Sequence, residues 1–281
     1  MRNYFCGWYI KCQNGTQTVA FIAAYHITNN VKSCSLQVIT DDGAWNVDYP
    51  YEEFHMDEQG VTIGSNVFTR QGCSLDVQTD ALTLRGKLTF GEFTPIAYDI
   101  MGPFKYVPFL ECRHSVFSMK HRVDGRIHVN GKEFAFSDGV GYLEGDRGTS
   151  FPKEYLWTQC CFGEGSIMLS VADIPFCGLC FTGIIGVIHY RGREYRLATY
   201  LGARAVKIRE GEAVIRQGNK TLTVKRLEDK GRLLAAPVAG DMKRTIRESA
   251  ACRTYYHLQE KEKTVFEFTS AMASFEYEYP Q

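Results

Sequence analysis

Residues 141–159 read GYLEGDRGTSFPKEYLWTQ, a stretch in which ionisable side chains fall at spacings that suit chemistry. If 142–146 is extended, side chains alternate, so Tyr142, Glu144 and Asp146 share one face while Arg147 leans the other way. Two carboxyls and a phenol at the mouth of an aromatic-lined pocket can deliver and recover a proton. The same residues also suit a plainer arrangement, in which Asp146 and Arg147 tie a loop together and Glu144 is solvated. The pattern by itself leaves both open.

Other candidate signatures fall short. Cys177-Gly-Leu-Cys180 has the spacing of a redox or zinc pair. It lies in the apolar, strand-like run PFCGLCFTGIIGVIHY, where positions three apart face opposite sides, and no second pair follows. Packing is expected there, as for Cys160 and Cys161. His114, His121 and His128 are evenly spaced at an odd interval, so along one strand they flip faces and do not converge as ligands. No metal is expected. Gly125 and Gly131 precede Lys132 at the wrong spacing for a P-loop, and Gly139-Val-Gly141 lacks the third glycine of a dinucleotide fingerprint. Gly148-Thr-Ser150-Phe-Pro152 ends in proline where a nucleophile elbow has glycine. Kinase, dehydrogenase, hydrolase and zinc-enzyme readings lose ground.

The elements that must position these residues read as strands. Turn dipeptides recur at Asn14-Gly15, Asp42-Gly43, Asp124-Gly125, Asn130-Gly131, Asp138-Gly139, Glu210-Gly211 and Lys230-Gly231, separated by short Val-, Ile-, Thr-, Phe- and Tyr-rich segments. SFEYEYP alternates cleanly, and hairpin-linked strands of this length indicate antiparallel sandwiches or barrels. Asp241 could cap a short helix in DMKRTIRESAA, which also alternates tolerably as a strand. Three of eight prolines, Pro95, Pro103 and Pro108, interrupt the pattern mid-chain. Two β halves, 1–110 and 111–281, are therefore expected, with one long sandwich as the alternative.

Composition bounds the class. The 281 residues are 44% hydrophobic and 23% charged, with 32 basic residues against 32 acidic ones. A net charge of zero gives no electrostatic footprint for nucleic acid. The longest apolar run, near Ile184 to Ile188, is far short of the roughly 20 residues a membrane-spanning helix needs. The opening MRNYFCGWYIKC is interrupted by Gly7, Lys11 and Cys12, unlike a signal peptide. A cytoplasmic chain with no integral membrane segment and ten reduced cysteines is expected.

Several segments together resemble the tocopherol cyclase family. Gly141-Tyr142-Leu143-Glu144, Gly148-Thr149-Ser150-Phe151-Pro152 and Trp157-Thr158-Gln159-Cys160 match its Gly-Tyr-x-Glu, Gly-x-Ser-Phe-Pro and Trp-x-Gln-Cys runs. Phe5-Cys6-Gly7-Trp8-Tyr9-Ile10-Lys11 looks like its opening, with Cys6 in place of the usual Glu. Further matches are Phe181-Thr182-Gly183, Glu194 to Tyr200, and Ala236-Pro237-Val238. Gly145-Asp146-Arg147-Gly148 departs from the plant-like Lys-Asn-Trp-Gly pattern, and Cys161 stands in place of the usual Asn.

The resemblance implies an all-β fold of two consecutive lipocalin-like barrels with at most one or two short helices, similar to carotenoid hydratase-like proteins. It implies a reaction in which an acid protonates the alkene of a prenylated hydroquinone and the phenolic oxygen closes the ring, with no cofactor. Glu144 or Asp146 would be the acid, with Tyr142 and Arg147 orienting the phenol. Trp8, Tyr9, Trp157 and Gln159 would bind the hydrophobic ligand. The alternative is a non-catalytic, lipocalin-like carrier of an isoprenoid, quinone or other apolar molecule.

Overall fold

The structure is a computed structural model that describes residues 3–108, 110–176, 179–228 and 231–280. The described residues form twenty-one strands and three short 3-10 turns, and no α-helix. The segment at Asp241, legible as helix or strand, is strand. Paired positive φ at Asn29-Asn30, Asn130-Gly131, Arg191-Gly192 and Glu210-Gly211 marks two-residue hairpin turns whose twist matches that of the flanking strands.

Eleven strands make the first sheet: β1 (Tyr4–Gln13), β2 (Thr18–Thr28), β3 (Val31–Thr40), β4 (Ala44–Tyr49), β5 (Phe54–Met56), β6 (Gly60–Ile63), β7 (Asn66–Thr69), β8 (Gly72–Gln78), β9 (Thr83–Phe90), β10 (Cys112–Val129) and β11 (Lys132–Gly148). Their order is β4-β3-β2-β1-β11-β10-β9-β8-β7-β6-β5. The edge strands β4 and β5 are consecutive in the chain. The link between them, from Tyr49 to Phe54, reaches at most about 18 Å. Laid flat, eleven strands would be about 48 Å wide, so the sheet must roll up. Asn66 on β7 donates to the Tyr49 hydroxyl at 3.1 Å across the seam, and the Gly64 N–H to the Glu53 carbonyl at 3.1 Å. The inward side chains, among them Phe21, Phe68, Phe134, Ile10, Leu36 and Ile63, pack on one another as a buried core.

The second sheet is built alike, from β12 (Tyr155–Phe162), β13 (Gly165–Phe176), β14 (Leu179–Tyr190), β15 (Arg193–Ala198), β16 (Arg204–Arg209), β17 (Glu212–Gln217), β18 (Lys220–Arg226), β19 (Arg232–Val238), β20 (Asp241–Glu260) and β21 (Lys263–Tyr277). Its path is β15-β14-β13-β12-β21-β20-β18-β17-β16, with β19 paired to β20. Its edge strands β15 and β16 are again consecutive. Gln217 closes this seam by donating to the Arg196 carbonyl at 3.0 Å and accepting from the Ala198 N–H at 2.9 Å. The fold is all-β, two lipocalin-like antiparallel barrels.

The chain visits the two compact units more than once. The first comprises Met1–Pro95, His114–Ser150 and Ala235–Arg244; the second comprises Ile96–Arg113, Phe151–Leu234 and Thr245–Gln281. The first crossing falls at Pro95, the first of the three clustered prolines. Strand patterning resumes beyond 110 with β10 and β11, which lie past the expected 110/111 division and hydrogen-bond into the first sheet on β9 and β1.

Nine described cysteines carry free thiols, and Cys177 lies outside the described residues. No helix among the described residues is long and apolar enough to cross a membrane.

Candidate functional site

Strand alternation sorts the residues of β1 and β11 onto two faces. Trp8, Ile10, Cys12 and Leu143 belong to the barrel core. Their neighbours in sequence take the opposite face, where the register sets Gly7 against Asp146, Tyr9 against Glu144 and Lys11 against Tyr142. That face is also buried: Glu144 is 4% exposed and Lys11 1%.

At its centre a carboxylate, an imidazole and a phenol converge. The Tyr142 hydroxyl donates to Glu144 Oε2 at 2.5 Å, and His114 Nε2 lies 2.9 Å from the same oxygen. The other ring nitrogen, His114 Nδ1, lies 2.7 Å from Asp146 Oδ1. Both contacts fall on Oε2: the phenol makes a hydrogen bond, while Nε2 of the buried ring approaches as a charge contact without hydrogen-bond geometry. Exposure grades along the chain of groups: the side chains are 5% exposed at Glu144, 9% at His114 and 23% at Asp146.

Burial pushes the Glu144 carboxyl above the usual carboxylate range, and the charge of His114 offsets only part of this. For His114, burial works against the charged ring, but the two flanking carboxylates outweigh it and hold the imidazole well above its ordinary value. The three groups interact so closely that protons are shared across the cluster, and its titration belongs to the group as a whole.

Donor atoms of His114, Glu144 and Asp146 lie within 4.8 Å of one another, close enough to consider a cation. The Nδ1 of the ring is engaged by Asp146, whereas Nε2 lies beside Glu144 Oε2 without a hydrogen bond, so a cation would have to be held by Nε2 and the Glu144 carboxylate.

Of the expected site residues, Tyr142, Glu144 and Asp146 come together on one face. Arg147 stands apart, exposed and in register with Cys6, whose thiol burial pushes up and the guanidinium partly pulls back. Trp8 and Tyr9 were expected to wall one cavity, but as successive strand residues they face opposite ways. Trp8 packs in the core with its ring 5.4 Å from that of Phe117, and Tyr9 lies beside Glu144. Trp157 and Gln159 sit on β12 of the second unit, buried on the face opposite the core residues Leu156 and Cys160.

Sequence reasoning missed His114 and Lys11. It held that the three spaced histidines do not converge, and they do not: His121 lies between Phe90 and Phe93, and His128 pairs loosely with Glu133. The partners of His114 come instead from the neighbouring strand. The signal for Lys11 was parity, because it alternates with core residues of β1 and so shares the face of Tyr9.

Comparison with known proteins fits this architecture. A tocopherol cyclase-like family profile matches residues 51–277. A search of curated proteins by sequence finds no match. Among solved structures, an AttH-assigned protein of Nitrosomonas europaea aligns at TM-score 0.56 and 10% identity, covering 100% of this chain and 93% of that one. Kievitone hydratase from Nectria haematococca aligns at TM-score 0.55 and 12% identity, covering 98% and 89%. CghA, in its complex with Sch210972, aligns at TM-score 0.58 and 8% identity, covering 98% and 88%. At such identities these neighbours share the fold alone. The family profile spans most of the chain, its match ends on the last strand of the second sheet, and the Gly-Tyr-x-Glu run inside it supplies two of the clustered side chains. The chain belongs to the tocopherol cyclase-like family.

Proposed function

We propose that this protein catalyses an acid-initiated cyclisation of a prenylated hydroquinone or similar isoprenoid, with Glu144 as the acid. Family membership supports a catalytic, isoprenoid-related role. The observation that carries the finer reading is the state of Glu144: buried, raised in pKa, and met at Oε2 by the Tyr142 hydroxyl and the His114 ring. The carboxyl proton of Glu144 adds to the alkene carbon that leaves a tertiary cation. The phenolic oxygen attacks that cation, a C–O bond forms, and the phenolic proton returns to the site. Substrate and product are isomers, so no oxidant or reductant enters. His114 holds Glu144 in place and Asp146 holds His114, while Tyr142 fixes the carboxyl orientation.

Glu144→Gln keeps the shape and removes the acid. With a prenyl hydroquinone as substrate, chromanol formation should fall by at least about a hundredfold while the melting temperature stays within a few degrees. Unchanged turnover in this variant overturns the acid role. Tight ligand binding by a wild-type protein that shows no turnover would favour the carrier instead.

A further inference from the structure

The zero net charge of the chain hides an uneven distribution. Residues 33–69 carry seven Asp and Glu and no Lys or Arg, whereas residues 204–226 carry seven Lys and Arg against two Glu. The basic stretch is β16, β17 and β18, where the core residues Ala213, Ile215, Leu222 and Val224 set the parity of the opposite, outer face. On that outer face the register puts Arg204 opposite Arg216, Arg209 opposite Glu212, and Glu212 opposite Lys225. Lys207 reaches the same Glu212 carboxylate at 2.9 Å, and Arg209 pairs with Glu210 in the adjoining turn. Across the three strands one acid stands among five exposed cations, and Arg204, Arg216 and Lys225 make no ion pair among the described residues. Like charges directly opposite one another on neighbouring strands cost stability. Charged end strands keep sheets from pairing with each other, which accounts for the cations of β16 but not for Arg216 and Lys225 on the two strands behind it. Strands lie about 4.8 Å apart and rise about 3.3 Å per residue, so the five charges crowd an area of roughly 10 by 17 Å. Neighbouring charges fall within one screening length, and their fields add.

We infer that this outer face of β16, β17 and β18 docks the protein on an anionic lipid surface. Charge complementarity carries the choice, because a cluster of Lys and Arg of this size is what holds a protein at such a surface. A strand of nucleic acid calls for aromatic platforms as well. On this face, which β20 continues, the only Phe, Tyr or Trp is Tyr255, and its hydroxyl donates to Glu267 at 2.8 Å. Val206, 53% exposed at the irregularity of β16, offers an apolar contact instead. The acidic stretch at 33–69 is repelled by the same surface, which confines attachment to the basic wall. The inference goes beyond the cyclisation reading and does not depend on it. It puts the protein at the phase in which a prenylated molecule dissolves.

The test floats the full-length protein with vesicles of phosphatidylcholine, alone or mixed with phosphatidylserine. Wild type should bind only the mixed vesicles and should leave them at high salt. Arg216→Gln and Lys225→Gln should each weaken binding about fivefold, and Lys225→Arg should hold it. Arg204→Gln stands in if either Gln variant does not fold. Lys87→Gln removes the same charge from an exposed position on β9 of the first sheet and should change nothing. An equal loss in Lys87→Gln, or binding that ignores phosphatidylserine, overturns the inference. So does tighter binding to a single-stranded oligonucleotide than to the mixed vesicles in the same buffer, which would make the face a nucleic-acid site. Glu144→Gln should float as wild type does. Its loss of turnover leaves docking intact, and a failure to dock leaves the acid assignment intact.

Discussion

His114 keeps its ring between two carboxylates against the pull of burial, and this gives stability a definite pH dependence. Its folded pKa lies above the unfolded value of 6.5, so its stabilisation is complete below pH 6.5 and is lost as pH rises through the folded value. Glu144 is raised as well, so the folded state favours its protonated form and loses that advantage as pH climbs above 4.5. Melting temperature should therefore decline on the alkaline side. In His114→Gln the decline should begin at lower pH, because only the carboxyl with its lower starting value remains. His121 acts in the opposite sense: burial beside Phe90 and Phe93 lowers it to about 4 from 6.5. Unfolded chains bind its proton first, so stability drops between pH 6.5 and 4, by on the order of 3 kcal/mol. Melts of wild type and His121→Leu across that range check this, and an unchanged acid limb in the variant would contradict it.

The β10–β11 hairpin shows how an element sets what its residues can do. Counting outward from the Asn130-Gly131 turn pairs His114 with Arg147 and puts it on the face away from Glu144. Asp138 has φ 59° within β11, and its N–H donates to the Asp124 carboxylate at 3.0 Å. Beyond this irregularity the pairing is shifted by one residue: His121 stands over Gly141 and Phe117 over Gly145. That one step carries His114 to the face of Glu144 and Asp146. The alternation of Tyr142, Glu144 and Asp146 was legible in the sequence because it is local to one strand. The arrival of His114 was not, because a bulge leaves no periodicity signal. The close approach at Gly141 gives a test. A Cβ there would lie 2.2 Å from His121 Nε2, so Gly141→Ala should destabilise by about 1–3 kcal/mol. Adding His121→Ala should recover much of that loss in a double-mutant cycle, and simple additivity would refute the contact.

At the scale of the molecule, strand content and hairpin turns were readable from end to end, since period-two patterning is repeated in every segment. The division of the chain was less so, because proline marks a break in a strand but not where the next strand will pair. The first unit takes residues from three separate stretches, the last of them Ala235–Arg244. Within it Gln37 on β3 holds Ala235 by both amide atoms, at 3.1 and 3.3 Å, and the Gly240 N–H donates to the Thr149 carbonyl at 2.7 Å. A chain ending at 150 keeps all eleven strands of the first sheet yet lacks these partners. It should show a less cooperative thermal transition than the full protein by circular dichroism, and an equally sharp one would mean the late segment is dispensable. The interleaving also bears on synthesis. A ribosome that has finished β11 must add roughly ninety more residues before Gln37 can meet Ala235, about 5–20 s at ordinary elongation rates. During that interval the Gln37 amide lacks its Ala235 partner, so translation speed through the second barrel's strands sets how long the first barrel stays incomplete.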